Sequence, residues 1–440
     1  MYLLYDIILH ILFISLLPYF FFKALFIGKY RAGLLERFGF IKPWKLSRLQ
    51  NARVVWFHAV SVGETKAAIP LLRMLKDRHP ETKVVFSTVT ATGNDIASRD
   101  GEGLIDVLIF FPLDFSWVVK RVTRRLRPLL FIVVEKEIWP NLFRLLNARR
   151  TPTIVVNGNI SDRSFKRYKR FRLFFNSVFK EISAYCAQSE LDSAKASALG
   201  IRRTLVTGNM KFDIRMPSLG EKEKDALKGE LGIMNSERVI VAGSTHRGEE
   251  EIILSVYKEL CNEFKRLRLV IAPRHPERFK EVGELIEKKG FSLLRRSEQR
   301  ANSNVVKNNS SKPRDMKGEV ILLDTMGELG RFYGIADIVF VGGSLVEGVG
   351  GHNLLEPAIY RRPVVYGPYL GNWLYVAEML ERSEGGIRVA DGEALFDKIT
   401  RLLSDPDLAE GLGEAAYKVA CENRGATEKS LQIIEGFLYA

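Results

Sequence analysis

Short apolar runs alternate with longer stretches of helical periodicity along most of this chain. The pattern is strand, loop, amphipathic helix, repeated, which marks a parallel α/β fold. A first series of strands is predicted at Val54 to Phe57, Lys83 to Ser87, Val107 to Phe110, Leu129 to Val134, Thr153 to Asn157, Ala184 to Ala187 and Thr204 to Thr207. A second is predicted at Val239 to Ala242, Leu269 to Ala272, Gly290 to Leu294, Val320 to Leu323, Ile338 to Val341 and Pro363 to Tyr366. Between them lies a charged stretch, Arg215 to Gly232, broken by Pro217 and Gly220. It reads as a linker beside a cleft between two domains. Ser297 to Gly318, polar and almost without apolar residues, reads as a mobile surface loop.

The first residues follow a different pattern. LLYDIILHILFISLLPYFFF, from Leu3 to Phe22, is nearly uncharged and about as long as a bilayer span. Lys23, Lys29, Arg31 and Arg37 follow it, and no small-residue cleavage site is visible. The run predicts a retained membrane anchor over 1–28, with the body of the protein on the cytoplasmic side. A buried or interfacial helix is the competing reading.

Length and composition narrow the class. A chain of 440 residues exceeds one compact core, and 46% hydrophobic residues exclude disorder. Three scattered cysteines, Cys186, Cys261 and Cys421, argue against a disulfide framework or zinc site and fit a reducing compartment. The net charge of +14 is clustered, notably in Arg163-Ser164-Phe165-Lys166-Arg167-Tyr168-Lys169-Arg170-Phe171-Arg172. Cations interleaved with aromatic rings suit anionic lipid headgroups, and the N-terminal run favours lipid over nucleic acid as the partner.

Ligands of doubly wound sheets sit at the carboxyl ends of strands, so the residues following each strand carry the candidate chemistry. After the first strand come Ser61, Gly63 and Glu64. Glu64 opens a helix whose dipole favours its ionised form, as a general base requires, although a first-turn glutamate is more often only a cap. The fourth strand ends in Glu135-Lys136-Glu137, either a polar acceptor site or a salt-bridged terminus. In the second series Ser244, Thr245 and His246 follow one strand, and Arg274 and His275 another, giving groups suited to phosphate or a sugar carboxylate. The run Gly343 to Ala358, with Gly350, Gly351, Asn353 and Glu356, combines glycines that admit an anion with backbone N–H groups opening a helix. No complete Walker or dinucleotide fingerprint is present. Asp405-Pro406-Asp407 reads as a helix cap and not as a metal site.

Seven segments then converge on one family. AVSVGE (Ala59 to Glu64), EIWPN (Glu137 to Asn141), TGNMKFD (Thr207 to Asp213), AGSTH (Ala242 to His246), PRHPER (Pro273 to Arg278), DTMGEL (Asp324 to Leu329) and GGHNLLEPA (Gly350 to Ala358) closely resemble the Kdo transferases of Gram-negative bacteria. These enzymes transfer 3-deoxy-D-manno-octulosonic acid from CMP-Kdo to lipid A precursors. The resemblance implies a GT-B glycosyltransferase fold of two Rossmann-like domains facing a cleft, plus the anchor helix. It implies an acceptor domain over 29–214, a linker over 215–232 and a CMP-Kdo domain over 233–440, with the last helix able to pack back on the first domain. It further implies an inverting, metal-independent enzyme with no cofactor, on the cytoplasmic face of the inner membrane, whose partners are CMP-Kdo, the lipid A precursor and anionic lipids.

Carried over by position, Glu64 matches the base, while Ser61, Gly63, Glu137 and Arg163 fall on the acceptor side. Lys211, Ser244, Thr245, His246, Arg274, His275, Gly327, Glu328, Gly350, Gly351, Asn353 and Glu356 fall on the donor side. Two departures stand out. Asn157-Gly158-Asn159 replaces the family's Asn-Ala-Arg, and Lys136 replaces the threonine of Glu-Thr-Glu. The competing readings are a GT-B enzyme using a UDP-sugar and a non-catalytic lipid-binding scaffold.

Overall fold

A computed structural model describes residues 1–26, 33–213, 216–303 and 318–439, without the side chains of 19–26 and 300–303. It divides into two compact units, residues 1–213 with 423–440, and residues 214–422.

Unit 1 is built on a parallel sheet of β1 (Val54–Ala59), β2 (Lys83–Thr88), β3 (Val107–Phe110), β4 (Leu130–Val134), β5 (Thr153–Gly158), β6 (Ala184–Ala187) and β7 (Thr204–Val206). Their order is β3-β2-β1-β4-β5-β6-β7. Every residue of β1 and β4 is buried, because helices cover both faces of the sheet. One face packs Trp56, Phe131 and Phe143, the other Phe57, Leu71 and Phe86. The order reverses between β1 and β4, whose adjacent ends (His58 opposite Val133) leave a crevice at the carboxyl edge. The last helix, Ala426–Leu438, belongs to this unit. The Asp213 carboxylate accepts the N–H groups of Gly425 and Thr427, both at 2.6 Å, at its opening turn.

Unit 2 repeats the plan with β8 (Arg238–Thr245), β9 (Leu267–Pro273), β10 (Ser292–Arg295), β11 (Glu319–Leu322), β12 (Ile338–Val341), β13 (Val364–Tyr366) and β14 (Gly386–Arg388). The order is β10-β11-β9-β8-β12-β13-β14, all parallel, with its reversal between β8 and β12. β10 begins two residues later than predicted, and β14 was not predicted. Its three residues contain one apolar side chain, Ile387, too short a run to show periodicity. The stretch expected as linker contains the helix Glu221–Glu230. Part of the expected surface loop forms the helix Arg296–Ser303; residues 304–317 lie outside the described residues.

The membrane-spanning anchor is not confirmed. A helix does form over Tyr2–Phe26, but no helix among the described residues is long and apolar enough to cross a membrane. The polar groups near the start of this helix are met by unit 1. Asp6 accepts from the Ser116 N–H (3.0 Å) and Asn141 Nδ2 (2.8 Å), and the Tyr5 hydroxyl donates to buried Asp114 (3.1 Å). Asp114 in turn takes the N–H groups of Asn141 and Leu142, opening the helix Pro140–Asn147. Tyr2, Leu9 and Phe13 pack against the core, while Ile7, Ile8, Ile11 and Leu12 face outward, exposed. The helix thus lies along unit 1, polar groups and some apolar ones inward, a row of aliphatic ones out. Lys29 and Arg31 lie outside the described residues.

Candidate functional site

In unit 1 the candidate chemistry gathers at the β1/β4 reversal. Ser61 caps the helix Val62–Arg78, its Oγ accepting the Glu64 N–H (3.4 Å). The Glu64 carboxylate reaches back to accept the Val60 N–H at 2.6 Å and the Ser61 hydroxyl at 3.2 Å. It is therefore a cap, and also a group that has lost most of its water: the residue is 6% exposed. Burial pushes its pKa up to about 7, and the nearby carboxylates of Glu135 and Glu137 push the same way, against the two hydrogen bonds. Gly63, beside it, is exposed and leaves the approach to this turn open.

Glu135 follows β4 with a left-handed backbone (φ 68°), and Asn157, on β5, shares that strain (φ 54°). Residues in this region persist only where their surroundings hold them. Here Asn157 accepts the Met210 N–H (2.9 Å) on its side chain and the Gln188 amide (2.9 Å) on its carbonyl. Glu137 has its pKa raised by burial first and by Glu135 as well, with Lys136 opposing. Lys211 lies here in unit 1, 3.9 Å from Glu135, and not among the unit 2 residues with which sequence reasoning grouped it. Arg163 is exposed on the first turn of the helix Asp162–Arg170.

The residues that depart from the family pattern meet at one place. Lys136 and Asn159 both line a cavity of about 310 Å³, and Tyr185 forms part of its wall. A Cβ on Gly158 would fall 2.4 Å from the Tyr185 ring, so the missing methyl group makes room for that ring.

In unit 2 the corresponding place is the β8/β12 reversal. Ser244 has a left-handed backbone (φ 58°), and Thr245 is fully buried with a hydroxyl that finds no partner among the described residues. His246 Nε2 lies 2.8 Å from His352 Nε2, and His275 sets its ring edge-on to His246 at 5.3 Å. Burial, then the neighbouring His275, Arg278 and Arg274, lowers the His246 pKa to about 4. Arg274 follows β9, its N–H bonded to the Thr245 carbonyl (3.0 Å). Gly343 admits this arrangement: its φ is +70°, and a Cβ there would meet the His352 ring at 3.0 Å.

Several N–H groups of the glycine loop expected to seat an anion already have partners. The N–H groups of Gly343, Ser344 and Leu345 are already bonded to the buried Glu249 carboxylate, at 2.7, 2.9 and 2.9 Å. His246 N–H makes a fourth such bond (2.9 Å). The helix that follows is only Leu355–Ile359, and the Leu355 N–H is taken by Asn353 Oδ1 (3.0 Å), whose amide bonds Glu356 (3.2 Å). The protein's own carboxylate and amide take these N–H groups. Gly350 and Gly351 are left-handed (φ 92° and 71°), the second closing the loop on the Gly343 carbonyl (2.7 Å). Gly327 (φ 86°) precedes Glu328, which is buried in an ion network with Arg296 (3.2 Å) and Arg331 (3.5 Å).

Glu249 and Tyr185 were missed by sequence reasoning, while Arg167 and His352 were quoted only within longer runs and given no role of their own. Glu249 stands in a run, Glu249-Glu250-Glu251, that resembles any acidic helix start, and its partners are some 94 residues away.

A family model for 3-deoxy-D-manno-octulosonic-acid transferase (kdotransferase) matches residues 32–214. The chain is 35% identical to a 3-deoxy-D-manno-octulosonic acid transferase of Haemophilus influenzae, over 93% of this chain and 92% of that one. It is 33% identical to the protein of that name from Chlamydia trachomatis, over 98% and 96%. In fold it is similar to the crystal structure of a glycosyltransferase from Rickettsia africae, with TM-score 0.55 at 16% identity, covering 88% of this chain and 99% of that one.

Proposed function

Because the chain belongs to the 3-deoxy-D-manno-octulosonic acid transferase family, and so is a glycosyltransferase of lipopolysaccharide synthesis, we propose that it moves Kdo from CMP-Kdo to the lipid A precursor lipid IVA with Glu64 as general base. The supporting observation is the placement of Glu64: a dehydrated carboxylate at the β1/β4 reversal, with a pKa near 7. A base is most effective when its pKa lies near the working pH.

In this reading the Glu64 carboxylate takes the proton of the acceptor's primary hydroxyl as that oxygen forms its bond to the anomeric carbon of Kdo. The bond from that carbon to the phosphate oxygen breaks, and CMP leaves with the electron pair. A single displacement from the opposite face inverts the anomeric centre. The phosphate gains one negative charge, and unit 2 offers Arg274, His275 and the His246–His352 pair to meet it in place of a metal ion. In this reading Glu135 and Glu137 accept hydrogen bonds from acceptor hydroxyls. The outward aliphatic row of the first helix, together with exposed Phe171 and Leu173, supports work at a lipid surface, the cytoplasmic face of the inner membrane.

The test incubates the purified full chain, and its Glu64→Gln variant, with a tetra-acylated lipid A precursor and CMP-Kdo generated in situ. Mass spectrometry of the lipid should show one or more added Kdo masses with the wild type and essentially none with the variant. Full transfer by the variant would remove Glu64 from the mechanism. No transfer by a wild type that binds CMP would remove the acceptor assignment.

A further inference from the structure

We propose that the cavity of about 310 Å³ in unit 1 is an acceptor subsite that takes one sugar ring bearing a phosphate group. The inference rests on unit 1 being the acceptor side and adds what is bound there.

The walls divide into two chemistries. The floor is aromatic, with Tyr168, Phe175, Phe179 and Tyr185, the first three in mutual ring contact at 4.6 to 6.0 Å. The rim is charged, carrying Glu135, Glu137, Lys136 and Arg167. An acyl chain would suit the floor but strand two carboxylates that have already lost much of their water, a cost that an apolar ligand cannot offset. A sugar ring meets both demands. Its C–H face lies on aromatic rings while its edge hydroxyls donate to carboxylates. The volume is at the lower end of ligand pockets, about right for one ring and its substituent.

Two further observations point to a bound group. The Tyr185 hydroxyl lies in a residue only 2% exposed and finds no partner among the described residues, yet Tyr185 lines the cavity. A buried hydroxyl left unpaired is costly, and a ligand oxygen would relieve that cost. The strained backbones of Glu135 and Asn157 stand at the ends of β4 and β5 beside the same rim. Such strain gathers where a ligand must be met by fixed groups. The anionic substituent follows from Lys136 and Arg167, both exposed at the mouth, with Arg167 steadied over the Tyr168 ring at 5.3 Å. A planar guanidinium and an ammonium together suit a phosphate monoester.

The experiment measures transfer from CMP-Kdo generated in situ by the full chain to two acceptors, a phosphorylated lipid A precursor and the same lipid after phosphatase treatment. Arg167→Gln and Lys136→Thr, both at exposed positions, should each raise KM for the phosphorylated acceptor about tenfold. They should raise it clearly less for the dephosphorylated one. Tyr185→Phe, which removes one oxygen, should raise KM for both. Equal shifts on the two acceptors from the cation variants, or unchanged KM in all three, would overturn the subsite. Failure of the wild type to use either lipid while binding CMP would instead overturn the acceptor reading on which it rests.

Discussion

At the scale of residues, Glu64 holds a charge in a place unfavourable to it, and this sets two opposed pH trends. Its carboxyl titrates near 7 in the folded protein and near 4.5 when unfolded. The folded state binds more protons between those values, so this group's contribution to stability is full below about 4.5 and is lost as pH rises through 7. The loss is about 3 kcal/mol. Activity should move the other way, with kcat/KM rising to a plateau above pH 7 as the base ionises. Glu64→Gln should therefore be inactive yet melt at a higher temperature than the wild type at pH 8; equal melting there would mean the buried charge costs little. On unit 2 the His246–His352 contact requires one imidazole to donate and the other to accept. Burial, then His275, Arg278 and Arg274, keep His246 neutral near pH 7, and a bound phosphate would oppose that shift. CMP binding should accordingly take up a fraction of a proton at pH 7.5, seen in calorimetry as an enthalpy that depends on the buffer's ionisation heat. His352→Gln should weaken binding and abolish the uptake. An unchanged uptake would assign the proton elsewhere.

Among the elements, the strands are the most legible part of the sequence. Helices cover both faces of each sheet, so β1 and β4 appear as nearly uninterrupted apolar runs, and of all the strands only the short β14 escapes the pattern. The loops at the two reversals are legible too, since Ser61, Glu64, His246 and Arg274 all follow strands. What the pattern cannot carry is long-range. Glu249 closes the glycine loop from another helix, and Tyr185 looks like an ordinary strand residue until Gly158 is seen beneath its ring. The helix Tyr2–Phe26 shows the same limit. Its sequence predicts a span, yet no described helix is long and apolar enough to cross a membrane, and the partners of Tyr5 and Asp6 show that it packs against unit 1. With Ile7, Ile8 and Ile11 outward and Arg121 stacked at 4.2 Å over exposed Phe40, that side should float with vesicles containing anionic lipid. Replacing the three isoleucines with serine should return the protein to the soluble fraction. Retention of the variant on vesicles would place the contact elsewhere.

For the whole molecule, the path of the chain matters as much as its two sheets. Unit 1 is left at Asp213 and finished only by residues 423–440. The final helix buries Leu431, Ile434 and Leu438 in the unit 1 core. At about 1.5–3 kcal/mol each, they rival the net stability of a typical domain, roughly 5–15 kcal/mol. Deleting 423–440 should therefore unfold unit 1, leaving unit 2 able to bind CMP, as protease protection and CMP titration of the truncated chain would reveal. A fully protected unit 1 in that chain would mean the helix is dispensable. The same path orders events on the ribosome. Unit 2 has its whole sequence before unit 1 does, and at about 5–20 residues per second unit 1 waits roughly ten to forty-five seconds with an apolar slot unfilled. A nascent chain in that state is a client for chaperones, and a nonsense mutation before the helix Ala426–Leu438 would silence the half of the protein that was translated first.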